Sequence, residues 1–258
     1  RNAVRDNLKA CFPDAYDPAI KKVEKDFYRN FTDNVVETLK LLHIKDADMA
    51  SCMEFRGTEI IDRLLSEGKS IVVYFGHFFN WEWAPSVSLH TKEKPSDKVV
   101  FAQVYRPLRS KAFDGLMLGL RSRFHSESID KSRTLRRLIE LQRDGITSIT
   151  GFMSDQHPSH GDPGYITTLL GRPTAMISGT ETLARRLKMA VIYWDMEKTS
   201  RGHYRITTRL MSENAADEAP GTLTGQYTRL LETTIRRDPS LWLWSHKRWK
   251  HPVTLPEK

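Results

Sequence analysis

The sequence predicts an α/β fold, a single domain with a mainly parallel central sheet flanked by helices and a helical hairpin at its N-terminus. Three observations carry that expectation. Short β-branched and aromatic runs at 70–75, 98–104 and 146–153 have the length of buried strands. Helical stretches fall between them, and strands alternating with helices are joined in parallel by crossovers. The 258 residues, 39% hydrophobic and 28% charged, suffice to bury a core. That balance excludes a disordered chain and a polytopic membrane protein.

Taken in order, the elements begin with a long amphipathic helix after Asp17-Pro18. Its apolar positions Val23, Phe27, Phe31, Val35, Leu39 and Leu42 recur at threes and fours. A shorter helix over 57–65 stops at Gly68. The strand SIVVYF at 70–75 is broken by Gly76, and 79–90 reads as the helix that follows. A strand over 98–104 leads to a helix over 107–123. Ser132 caps a helix over 135–143, which ends at Asp144-Gly145 before the strand 146–153. Residues 154–163 are a loop of turn formers, and 165–170 a strand ended by Gly171 and Pro173. Ser178-Gly-Thr-Glu181 reads as a capping box for a helix over 182–187. Strands follow over 189–196 and 203–211, then an acidic loop over 212–221, an amphipathic helix over 222–237 and a Trp-rich tail from Pro239. The expected organisation is a helical part over 1–68 and an α/β core over 69–258, without a domain boundary or repeat.

The net charge of +8 is clustered. Between Tyr105 and Arg143 ten basic residues face four acids, and Arg236, Arg237, Lys247, Arg248 and Lys250 crowd the tail. The rest of the chain is slightly acidic. Such asymmetry points to an anionic partner: a phosphorylated substrate, an acidic carrier protein, an anionic membrane surface or nucleic acid. Cys11 and Cys52 are too few for a disulfide scaffold or a Cys-rich metal site. No stretch approaches about 18 continuous apolar residues, the length of a spanning helix. The chain opens on Arg1 rather than Met, so a leading segment is expected to be missing.

Absent motifs narrow the chemistry. There is no G-x-S-x-G, G-x-x-x-x-G-K-[ST], G-x-G-x-x-G, H-E-x-x-H or C-x-x-C. What stands out is Gly76-His77-Phe78-Phe79-Asn80-Trp81-Glu82, at the carboxyl end of a predicted strand, where open α/β sheets collect their sites. On one continuous helix His77 and Glu82 would be roughly 140° apart. With His77 in the turn and Glu82 in the first helical turn, the carboxylate can come back under the imidazole. A carboxylate on one ring nitrogen fixes the tautomer and leaves the other nitrogen as a general base.

The ordered set G-H-F-x-N-W-E, then V-Y-R-P-L, R-S-R with S-I-D, a strand closing on S-D-Q, and the tail Trp242-Leu-Trp244-Ser-His-Lys247-Arg248-Trp249-Lys250 resembles one family. It is similar to the late acyltransferases of lipid A biosynthesis, the lauroyl/myristoyl transferase type, within the glycerolipid acyltransferases that share H-x4-[DE]. The likeness spans nearly the whole chain and is strongest to members from Bacteroidetes. It implies a glycerolipid-acyltransferase-like fold and no cofactor. The implied reaction moves a fatty acyl group from an acyl carrier protein thioester to a hydroxyl of a lipid A-type glycolipid or aminolipid. It implies His77 as the general base and Glu82 as the carboxylate that orients it. Arg106 and Arg121 would hold an anionic group of the acceptor, with Asp155 and Asn80 also in the substrate site. It further implies a membrane surface as partner, at the cytoplasmic face of the bacterial inner membrane, with an N-terminal anchor missing from this chain, and no nucleic acid.

Other features carry less. Asp155, His157, His160 and Asp162 fall within eight residues and include metal-ligand types, yet the spacing is that of a turn and no metal is expected. Trp242 is expected to pack. Two rival readings are a lysophospholipid or glycerolipid acyltransferase using acyl-CoA, and a non-enzymatic module binding anionic lipid or nucleic acid through the basic stretch.

Overall fold

The computed structural model describes residues 2–159 and 164–255. The chain begins with helices α1 (Asn2–Cys11), α2 (Asp17–Lys40) and α3 (Asp46–Cys52), then strand β1 (Met53–Arg56) and helix α4 (Thr58–Ser66). Strand β2 (Ile71–Phe75) leads into a 3-10 helix, Trp81–Leu89, followed by β3 (Val99–Tyr105), α5 (Lys111–Arg121), β4 (Ser126–Asp130) and α6 (Thr134–Arg143). Then come β5 (Thr147–Met153), the ribbon β6 (Tyr165–Leu169) and β7 (Arg172–Met176), α7 (Gly179–Arg186), β8 (Ala190–Ser200), β9 (His203–Ser212) and α8 (Thr222–Arg237).

Seven strands form one sheet in the order β1-β9-β8-β2-β5-β3-β4. Only the β8–β9 pair in it is antiparallel; the other pairs are parallel. The fold is therefore the expected mainly parallel α/β arrangement. Central strand β2 is buried at all five positions, as a strand covered on both faces must be.

Where strands were not foreseen, local composition hides them. β1 (MEFR) and β4 (SESID) are short and half polar, and β1, inside the segment expected to be helical, pairs with β9. β7 contains Pro173, which a two-stranded ribbon tolerates because one of its edges needs no donor. The helix expected over 79–90 is a 3-10 helix because Pro85 lies within it, without an amide hydrogen and crowding the carbonyl four residues back.

The capping box also differs. Ser178 makes no side-chain cap bond. Glu181 instead accepts hydrogen bonds from the Gly221 and Thr224 amides at 2.8 and 2.9 Å and from the Thr224 hydroxyl. Its carboxylate thus sits on the positive N-terminal end of α8.

Helix α2 departs furthest from an ordinary amphipathic helix, which turns its apolar stripe to the core. Phe27 is buried, but Phe31, Val35, Val36, Leu39 and Leu42 are exposed, while Asn30, Asp33, Asn34 and Glu37 point inward. Inside, polar partners await them: Lys198 and Arg201 pair with Asp33, the Tyr204 hydroxyl donates to Glu37 at 2.8 Å, and Asn30 donates to Ser240. Among the described residues, no helix is long and apolar enough to cross a membrane.

Candidate active site

Parallel pairing builds the site. Phe75 of β2 is in register with Met153 of β5. Two residues beyond each lie His77 and Asp155, so the two chains leave the sheet side by side and deliver an imidazole and a carboxylate to the same point. His77 Nδ1 is 2.6 Å from Asp155 Oδ1, and the His77 amide donates to Oδ2 at 2.8 Å. The Trp242 indole donates to that same Oδ2 at 2.8 Å.

The turn that presents His77 is clamped. A Cβ on Gly76 would come within 2.8 Å of the Leu231 side chain and of the Phe78 ring, so any larger residue forces these to move. The tail runs against it: the Phe79 amide donates to the Leu241 carbonyl and the Leu243 amide to the His77 carbonyl, both at 3.1 Å. That strand-like contact carries Trp242 to Asp155. Trp242 is indeed buried, and it also supplies the third hydrogen bond to the carboxylate.

Asp155 is 2% exposed. Burial by itself pushes its pKa up. The His77 charge, the hydrogen bonds from His77 ring and backbone and the Trp242 indole outweigh burial and hold the carboxyl down at about 2. An ionised Asp155 accepts from Nδ1–H, which leaves Nε2 as the ring's acceptor, the atom that an incoming hydroxyl would have to take over from the Gln156 amide. Gln156 places its amide 3.3 Å from that Nε2. The two groups line a narrow pocket with Trp242, Leu243, His246 and Arg248. Arg248 is buried, donates to the Ala175 carbonyl at 2.6 Å, and has no partner for its Nε among the described residues. Burial lowers its pKa to about 10, so it stays charged at neutral pH.

The expected contact between Glu82 and His77 is not made. Arg121 grips Glu82 with two bonds of 2.6 and 2.8 Å, and the Trp81 indole donates to the same carboxylate at 3.0 Å. Burial works against the Arg121 charge, but the bonds to Glu82 overcome it and raise its pKa. The 3-10 geometry sets Glu82 on that path, and Trp81 stands between, its ring edge-on to His77. Arg121, expected at the acceptor, is thus committed to Glu82. Asn80 is fully buried and turned away from the pocket, its side chain bonded to Glu37 at 3.3 Å and to the Glu82 amide at 3.1 Å. Arg106 follows β3 at the same carboxyl edge of the sheet, exposed and without an ion pair among the described residues.

In the His/Asp-rich loop, Asp155 is taken by His77 and His157 donates to the Pro158 carbonyl at 2.7 Å. His160 and Asp162 lie outside the described residues. Sequence reasoning missed Gln156 and read Arg248 only as part of the basic tail. Both sit in stretches quoted for the resemblance, S-D-Q and the tail, which was the only available signal.

A nearly whole-chain comparison settles the kinship. The family model described as bacterial lipid A biosynthesis acyltransferase matches residues 1–251. The chain belongs to that family. This lipid A biosynthesis acyltransferase family member is accordingly an acyltransferase enzyme. No curated protein matches the chain.

Proposed function

We propose that His77, oriented and charge-balanced by Asp155, is the general base of an acyl transfer from an acyl thioester to a hydroxyl of a lipid A-type glycolipid or aminolipid. The observation that carries this is the 2.6 Å contact between His77 Nδ1 and Asp155 Oδ1, which leaves Nε2 basic and facing a pocket. As the acceptor oxygen attacks the thioester carbonyl, Nε2 takes its proton. When the C–S bond breaks, the imidazolium returns that proton to the leaving thiolate. Asp155 stabilises the imidazolium between the two steps. The carbonyl oxygen gains negative charge on attack, and Arg248 brings a guanidinium to the same pocket to offset it.

The His77–Glu82 dyad is replaced in this reading by His77–Asp155. Glu82 and Arg121 are paired with each other behind Trp81, and of the two arginines expected at the acceptor Arg106 is the one left for a phosphate. Acyl carrier protein is the proposed donor, and the cytoplasmic face of the inner membrane the proposed location.

The test supplies purified protein with a lipid A precursor or an aminolipid and, in parallel, acyl carrier protein or coenzyme A thioesters. Mass spectrometry follows the lipid, and a thiol reagent the released carrier. Lipid gaining one acyl group with stoichiometric thiol supports the reading, and faster transfer from the carrier protein supports that donor. Thiol release without acylated lipid contradicts it.

A further inference from the structure

Helix α2 carries its polar residues inward and its apolar residues outward, and a solvent-facing stripe of that kind needs an occupant. From Phe31 to Leu42 the stripe extends about 16 Å at 1.5 Å per residue. Its exposed members are Phe31, Val35, Val36, Leu39 and Leu42, with Val36 53% exposed. The two acids of this half, Asp33 and Glu37, are buried, so the only exposed charges from 31 to 45 are Lys40 and Lys45.

A second patch shows the same composition. Along the loop before α5 and the helix itself, Leu108, Phe113 and Leu116 are exposed beside Arg106, Arg109 and Lys111, none of which makes an ion pair among the described residues. The one acid there, Asp114, is half-buried and bonded to the Leu108 amide at 2.8 Å. Most other basic groups of the chain's clusters are already used: Arg137 on Glu127, Arg136 on Glu140, Arg143 on Asp144, Arg237 on Asp195, and Arg248 in the interior.

The α2 patch reaches the candidate active site through stacked rings, and α5 is joined to it at the C-terminal end. Phe31 packs on Phe79, Phe79 on Trp81 and Trp81 on His77, with ring centroids 6.0, 5.6 and 5.3 Å apart. The C-terminal ends of α2 and α5 are tied by Arg123, which follows α5 and donates to the Leu41 and Ile44 carbonyls. The apolar side chains stand beside cations without an ion pair among the described residues, and the exposed acid nearest the end of α2, Asp46, is paired with Arg123 at 3.2 Å.

We infer that α2 and α5 form a docking face for an anionic lipid bilayer, which sets the mouth of the His77 site against the lipid surface. The bilayer satisfies both observations at once: its acyl boundary takes the apolar side chains, and its headgroups take Lys40, Lys45, Arg109 and Lys111. The orientation of the site towards lipid rests on the function proposed above; the docking itself does not.

The experiment is co-sedimentation of the purified protein with vesicles of phosphatidylcholine alone and with one third phosphatidylglycerol, alongside transfer activity on detergent-dispersed substrates. Binding to the anionic vesicles is expected to exceed binding to the neutral ones and to fall as salt rises. Arg109→Ala with Lys111→Ala lowers the anionic-vesicle partition coefficient about thirty-fold, at about 1 kcal/mol per cation. Val35→Ser with Leu39→Ser weakens binding to both vesicles. These exposed substitutions leave the melting temperature and the detergent-phase activity unchanged. Equal binding to both vesicles, or no effect of either pair, overturns the proposal. So does a pair that retains vesicle binding but loses transfer from carrier-protein thioesters alone, which would make the face a carrier-protein site. A dimer in solution that Leu39→Ser dissociates would overturn it in favour of a second copy. Vesicle binding without transfer to any acceptor would sink the proposed function and leave the docking face standing.

Discussion

Replacing Asp155 with Asn changes one atom and reverses one hydrogen bond. In the native site Oδ2 accepts from the His77 amide and the Trp242 indole, and Oδ1 from His77 Nδ1. An asparagine that keeps its oxygen in the Oδ2 place retains two of these bonds. Its NH2 then faces Nδ1 and can only donate, so the ring proton moves to Nε2, where the lone pair is needed. The opposite rotamer forfeits both Oδ2 bonds. The wrong tautomer is expected to lower kcat about 10⁴-fold, or ~5 kcal/mol of barrier. Losing the charge-assisted bond costs about 2–3 kcal/mol of stability, a melting-temperature drop of several degrees in a chain this long. Thiol release from an acyl thioester measures the first effect and thermal denaturation the second. Turnover within tenfold of wild type would refute the assignment of Asp155 as the partner of His77.

Glu82→Gln removes the anion from a largely buried bidentate pair and leaves the Arg121 charge uncompensated, which is expected to cost about 3 kcal/mol in urea unfolding; a loss below about 1 kcal/mol would show the pair to be unimportant. Trp242→Phe deletes one hydrogen bond to a buried carboxylate, with an expected loss of about 1.5–3 kcal/mol and lower turnover, measured by the same two assays. The pH dependence has a definite sign. Because the Asp155 carboxyl titrates at about 2 when folded against 3.8 ordinarily, the unfolded chain takes up its proton first as pH falls. Its contribution to stability is complete above about pH 4 and disappears towards pH 2, so the stability gap between wild type and Asp155→Asn should close over that window; a gap constant down to pH 2 would contradict the depressed pKa.

The strands around the site were legible because parallel strands covered on both faces are continuous apolar runs, as in 70–75 and 146–153. β1 and β4 were not, because MEFR and SESID draw their strand character from their neighbours. Periodicity found α2 but says nothing about what a stripe faces, and here the interior offers Lys198, Arg201 and Tyr204 to its polar side. His77 and Asp155 were both legible as site residues. Their pairing was not, since 78 residues separate them and only the β2–β5 register brings them together. Sequence proximity favoured Glu82, and the 3-10 path with its Trp81–Arg121 clasp took that carboxylate elsewhere.

The central claim is that His77 removes the acceptor proton, and turnover of the His77→Gln protein tests it most directly. Glutamine can keep a hydrogen bond to Asp155 yet has no basic nitrogen. With wild-type melting behaviour confirmed, transfer of the acyl group to the lipid acceptor should fall about 10³-fold or more. A His77→Gln protein that folds normally and transfers within tenfold of the wild-type rate would contradict it.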